Sequence, residues 1–182
     1  LSLIHRLGLP PLWTAAPVLV LCGLLYLAAL ALAWRLGRAV GLDPAECFLC
    51  LLLLAFNRWL VYWAVGGSEV SLLTVLILVV ALAFLNARPD RPLGWRIGLI
   101  LGLLGTVRAD TPLVSGLFLL LWWRLIPLRR GRPWAWLPAV LMPLLVVLWR
   151  RDYFGDWFPN TYYLRMVGIP TRAVIGAYYL IY

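Results

Sequence analysis

The sequence predicts an all-α protein, a polytopic transmembrane helical bundle of about six spanning helices and the start of a seventh. Three observations carry that expectation. Hydrophobic residues make up 64% of the 182 residues, and the mean hydropathy is +0.93, well above the roughly 45–50% apolar content of a soluble domain. The apolar residues fall in long runs that end at Arg, Asn or turn residues, the punctuation of membrane helices. No Gly/Ser linker, charge block or low-complexity tract divides the chain, so residues 1–182 read as a single transmembrane domain. The chain opens on Leu1 rather than Met and stops inside the apolar run from Ala173 to Tyr182, which reads as a fragment of a longer membrane module.

Each segment follows from run length and its boundaries. The first runs from Leu12 to Trp34 and meets Arg35 and Arg38. The second opens on Asp43-Pro44-Ala45-Glu46, an acceptor at the N-cap, Pro at the first helical position and Glu at the third, in the manner of a capping box. It continues through Phe56 to Asn57 and Arg58. Beyond them, Trp59, Tyr62 and Trp63 suggest an aromatic-anchored interfacial loop. The third segment, Glu69 to Asn86, follows the Gly66-Gly67 break. The fourth spans Leu93 to Val107, the fifth Pro112 to Ile126, and the sixth Trp134 to Trp149 with Pro138 and Pro143 inside it; the seventh begins near Thr171.

Charge sets an orientation. All sixteen basic residues are Arg and the net charge is +9, but they punctuate helix ends instead of clustering on one exposed face, so a nucleic-acid partner is not indicated. If the first helix runs inward, nine Arg fall on the cytoplasmic side and the other seven outside, a weak positive-inside bias. The outer seven call for an anionic ligand. Cys22, Cys47 and Cys50 lack a second Cys pair or a nearby His, and read as small packed residues, with no metal site.

The fourth and fifth segments are about fifteen residues each, roughly 22 Å of helix against a hydrocarbon core of about 30 Å. Their connecting tip, Arg108-Ala109-Asp110-Thr111-Pro112, is therefore expected below the outer surface, where charged groups sit against protein or a water-filled cavity. Arg108 and Asp110 become candidates for binding a lipid phosphate, because a guanidinium fork matches phosphate oxygens bidentately. Thr111 or Asp110 would cap the fifth helix, with Pro112 at its first position, and the plainer alternative is an Arg108 that snorkels to head groups beside an Asp110 that merely caps. Glu69 is a candidate cavity residue, or simply a carboxylate favoured by the dipole of its helix. The stretch Arg150 to Arg165 interleaves charge with aromatics around Gly155 and Pro159. It is either a ligand-handling loop, through Tyr153, Asp156, Asn160, Tyr162 and Arg165, or an aromatic belt.

Tyr153-Phe154-Gly155-Asp156-Trp157-Phe158-Pro159-Asn160-Thr161-Tyr162-Tyr163, followed by Arg165, resembles the Y-[YF]-G-D-x-x-P-N-T-x-Y-x-K pattern of bacterial membrane glycosyltransferases of the GT-C superfamily, the group that includes arabinofuranosyltransferases. Thr106-Val107-Arg108-Ala109-Asp110 resembles that family's T-R-P-D-G segment with one inserted residue, Ala109 for Pro and Thr111 for Gly. Tyr62 through Glu69 resembles its Y-W-x-x-S-G-x-E-T stretch, with Gly66 for Ser and Val70 for Thr.

The resemblance implies a multi-pass protein of the bacterial inner membrane with its active face outward. It would pass a sugar from a polyprenyl-phosphate donor to a glycan or protein acceptor with inversion, without a further cofactor. It also implies a catalytic carboxylate on an outer loop upstream of Leu1, leaving the catalytic residue of this chain unassigned, with Asp110 and Asp156 as substitutes. Arg108 would stabilise the leaving phosphate. The competing class is a polytopic transporter or lipid flippase, in which broken helices and intramembrane charges form a path; here no inverted repeat is evident and the polar residues gather on one side.

Overall fold

The computed structural model describes residues 11–87, 94–108, 110–125, 134 and 136–155. Among them are seven α-helices and no strand: α1 (Pro11–Ala39), α2 (Pro44–Ala55), α3 (Arg58–Val65), α4 (Val70–Leu85), α5 (Trp95–Val107), α6 (Thr111–Leu125) and α7 (Leu137–Phe154). The capping box forms at α2 as the sequence suggests. The Glu46 backbone N–H donates to Asp43 Oδ1 at 2.8 Å and the Asp43 N–H donates to Glu46 Oε2 at 2.9 Å, satisfying two otherwise orphaned donors.

The helices form a row. α4 packs on α1 and α5, α5 packs on α6 and α7, and α2 and α3 lie against α1. The buried core runs through Leu76 and Val80 of α4, Leu101 and Leu104 of α5, Trp122 of α6 and Ala139 of α7. Phe84 adds ring contacts to Phe118 and Trp122, with centroids 5.6 and 6.4 Å away. Leu85 is the one large apolar side chain exposed on α4, whereas α1, α5, α6 and α7 each expose several.

The α5–α7 contact depends on missing side chains. A Cβ on Gly102 would stand 2.5 Å from the Pro138 carbonyl oxygen and 2.8 Å from Met142 Sδ, and one on Gly105 would stand 2.7 Å from Pro143 Cγ. Small residues of this kind let backbones approach where lipid supplies no hydrophobic drive. Because Gly102 faces Pro138 and Gly105 faces Pro143, α5 and α7 run parallel. Gly67 lies against Val18 and Leu19, and the Cys22 thiol donates to the Ser68 carbonyl at 3.7 Å. The start of α1, the α3–α4 turn and the α5–α6 turn therefore share one end of the bundle.

Several expectations need correcting. The count of six spanning helices is not met among the described residues: Ala15–Ala39 is long and apolar enough to cross a membrane, and Pro44–Ala55 with Arg58–Ala64 makes a second if the pair, bent by 61°, is one span. α4, α5 and α6, with 16, 13 and 15 residues, extend about 20–24 Å, short of a 30 Å core. The stretch after Asn57 is a helix, not a loop. Asn57 Oδ1 accepts from the Leu60 N–H at 2.9 Å and starts α3 afresh. α7 runs through Arg150-Arg151-Asp152 to Phe154, so Tyr153 is helical; Gly155, at φ 75°, ends the helix with its N–H on the Arg151 carbonyl at 2.9 Å. Cys22 and Cys47 are buried, but Cys50 is exposed.

Candidate functional site

Glu69, Arg108 and Asp110, three of the candidates read from the sequence, meet at that shared end. Arg108 Nη1 donates to Glu69 Oε1 at 3.2 Å and Arg108 Nε donates to Asp110 Oδ1 at 3.0 Å. The ion pair to Glu69 bridges 39 positions of sequence, from the start of α4 to the end of α5. Antiparallel packing of α4 on α5 makes this possible, since the first residue of one helix then lies beside the last of the other.

The backbone of Arg108 is fixed separately from its side chain. Its N–H donates to Thr111 Oγ1 at 3.1 Å, and the Thr111 hydroxyl donates back to the Arg108 carbonyl at 2.8 Å. Thr111 is only 2% exposed, and this half-buried pair of bonds ties the turn shut. The sequence suggested Thr111 as a helix cap; it staples the turn ahead of the helix. One turn further on, buried Ser115 donates to the Leu101 carbonyl and ties α6 to α5.

Glu69 has a different status from Asp110. Its side chain makes no cap hydrogen bond to α4; Ser68 Oγ takes the Val70 N–H at 3.3 Å and donates to the Trp63 carbonyl at 2.7 Å. Glu69 is thus left to Arg108 alone. The three side chains are partly open to solvent, at 36% for Arg108, 47% for Glu69 and 67% for Asp110. Among the described residues they form a site open to solvent. Arg108 sits between the two carboxylates, and its Nη2 has no partner among the described residues.

Tyr153 stands apart from this cluster. It stacks on Trp149 with centroids 5.6 Å apart and planes 19° apart, and meets Phe154 edge-on at 4.7 Å. Counting from the Gly105–Pro143 contact, it lies about 10 Å beyond Arg108 along the helix direction. Asp156, Asn160, Tyr162 and Arg165 lie outside the described residues. Buried Ser71, whose hydroxyl has no partner, was not singled out from sequence. Its usual acceptor, the carbonyl four residues back, belongs to Gly67, whose φ of 71° is not helical.

Comparison of the chain with protein-family models, with curated proteins and with solved structures finds no match.

Proposed function

We propose that this chain is part of a multi-pass membrane glycosyltransferase of the bacterial inner membrane, active at the outer face, that takes a sugar from a polyprenyl-phosphate donor. The shorter helices α4 to α7 lie within the bilayer beside α1, and the lipid covers the apolar side chains that the row leaves exposed. The observation that carries the reading is Arg108, held at a helix-hairpin tip at the same end as the Trp149–Tyr153–Phe154 cluster. A guanidinium there can grip phosphate oxygens through its fork. The motif resemblance at three segments points to the same chemistry.

In this reading an acceptor hydroxyl oxygen bonds to the anomeric carbon as the bond from that carbon to the phosphate oxygen breaks. The hydroxyl proton passes to a carboxylate, and the lipid phosphate leaves with the bonding electrons. Arg108 stabilises the charge that grows on the phosphate. The glycan or protein acceptor approaches past the aromatic end of α7.

The test is transfer from a radiolabelled polyprenyl-phosphate sugar in membranes carrying the protein. Arg108→Lys and Arg108→Ala should each lower the rate about 100-fold or more, because an ammonium keeps the charge but not the planar fork. Undiminished transfer by both variants refutes the assignment of Arg108. The 61° break between α2 and α3 favours a second reading, a transporter or lipid flippase, since broken helices line such paths. Lipid movement across vesicles without sugar transfer would select it.

A further inference from the structure

We propose that Glu69 is a placeholder for a ligand phosphate: it holds Nη1 of Arg108 and gives it up when a phosphate group binds. This rests on the donor-site reading of Arg108 and adds the mechanism by which the site opens. Two features distinguish Glu69 from Asp110. Glu69 reaches Arg108 from another helix, whereas Asp110 belongs to the same turn and moves with it. Glu69 bonds Nη1, the atom next to the unpartnered Nη2, so a phosphate gripping the fork at both terminal nitrogens must take its place; Asp110 bonds Nε on the other edge and can remain.

Glu69 can also leave cheaply. It caps nothing, and at 47% exposure its carboxylate is rehydrated on release. The Arg108 backbone stays in place throughout, because Thr111 holds both its N–H and its carbonyl. Exchange therefore involves side chains only. Asp110 keeps the guanidinium plane oriented while the formal charge facing the ligand changes from paired to open.

Binding of farnesyl phosphate to the detergent-purified protein tests this, with inorganic phosphate and farnesol measured in parallel. Glu69→Gln should bind farnesyl phosphate about three-fold more tightly than the unmodified protein, the effect of removing one half-exposed competing ion pair. Glu69→Asp, which keeps the charge but withdraws the oxygens, should shift binding in the same direction. Asp110→Asn should not tighten it. The same order with inorganic phosphate assigns the exchange to any phosphate group, and its confinement to farnesyl phosphate assigns it to a lipid-borne one. Equal or weaker binding by both Glu69 variants, with Arg108→Ala still impaired, overturns the exchange but leaves Arg108 as a phosphate ligand. Equal tightening by Glu69→Gln and Asp110→Asn overturns it as a general field effect. Binding that Arg108→Ala leaves unchanged, or farnesol binding as strong as farnesyl phosphate, overturns the donor-site reading itself.

Discussion

Arg108 shows how much one position can disclose and where disclosure stops. Its charge, next to Asp110 at the end of a short apolar run, marked it from sequence alone. Its pairing with Glu69 was not legible, because it depends on α4 and α5 packing antiparallel at one register, a tertiary fact that no local spacing encodes. The same holds for Thr111, whose place before Pro112 suggested a cap and whose hydroxyl instead bonds both polar groups of the Arg108 backbone. Thr111→Val keeps the shape and leaves those two groups unpaired at a half-buried site. It should cost about 1–3 kcal/mol of stability, read as a lowered melting temperature in detergent. A melting temperature equal to that of the unmodified protein would show that water replaces the hydroxyl.

Among the helices, boundaries set by chemistry were legible and those set by packing were not. Asp43 with Glu46 fixed the start of α2, because a capping box is a local device; the end of α7 was set at Trp149 by the charges that follow it, although Gly155 is the left-handed cap that stops the helix. α3 was misread as a loop because its aromatics suggested a belt, although Asn57 ahead of an apolar run was a start signal in plain view. The glycines of α5 gave no warning of their role, since the need for Gly102 and Gly105 comes from Pro138, Met142 and Pro143 across the contact. Gly102→Ala should force α5 and α7 apart and destabilise the protein by about 1–3 kcal/mol. Gly116→Ala is the matched control, because a Cβ there meets nothing within 4 Å and α6 gains helix propensity. Equal melting temperatures for the two variants would contradict the close α5–α7 approach.

At the scale of the molecule, the described residues form a row of helices that leaves many large apolar side chains exposed. The all-helical class read from the sequence holds among the described residues, and Ala15–Ala39 is long and apolar enough to cross a membrane. The count of six spans did not hold among them: the fourth and fifth runs were already too short for a full crossing, and α4, at 16 residues, is shorter than the run from Glu69 to Asn86 that marked it. The proposed placement of those helices in the bilayer puts the Arg108 turn and the end of α7 on the outer side and the α1–α2 turn on the inner side. Single cysteines answer this, introduced by Asp152→Cys and Val40→Cys into a protein whose Cys22, Cys47 and Cys50 are replaced by Ala. A membrane-impermeant thiol reagent applied to intact cells should modify position 152 and spare position 40 until the cells are opened. Modification at 40 with protection at 152 would reverse the topology and remove Arg108 from the outer face, and with it the proposed encounter between a lipid-linked sugar and an external acceptor.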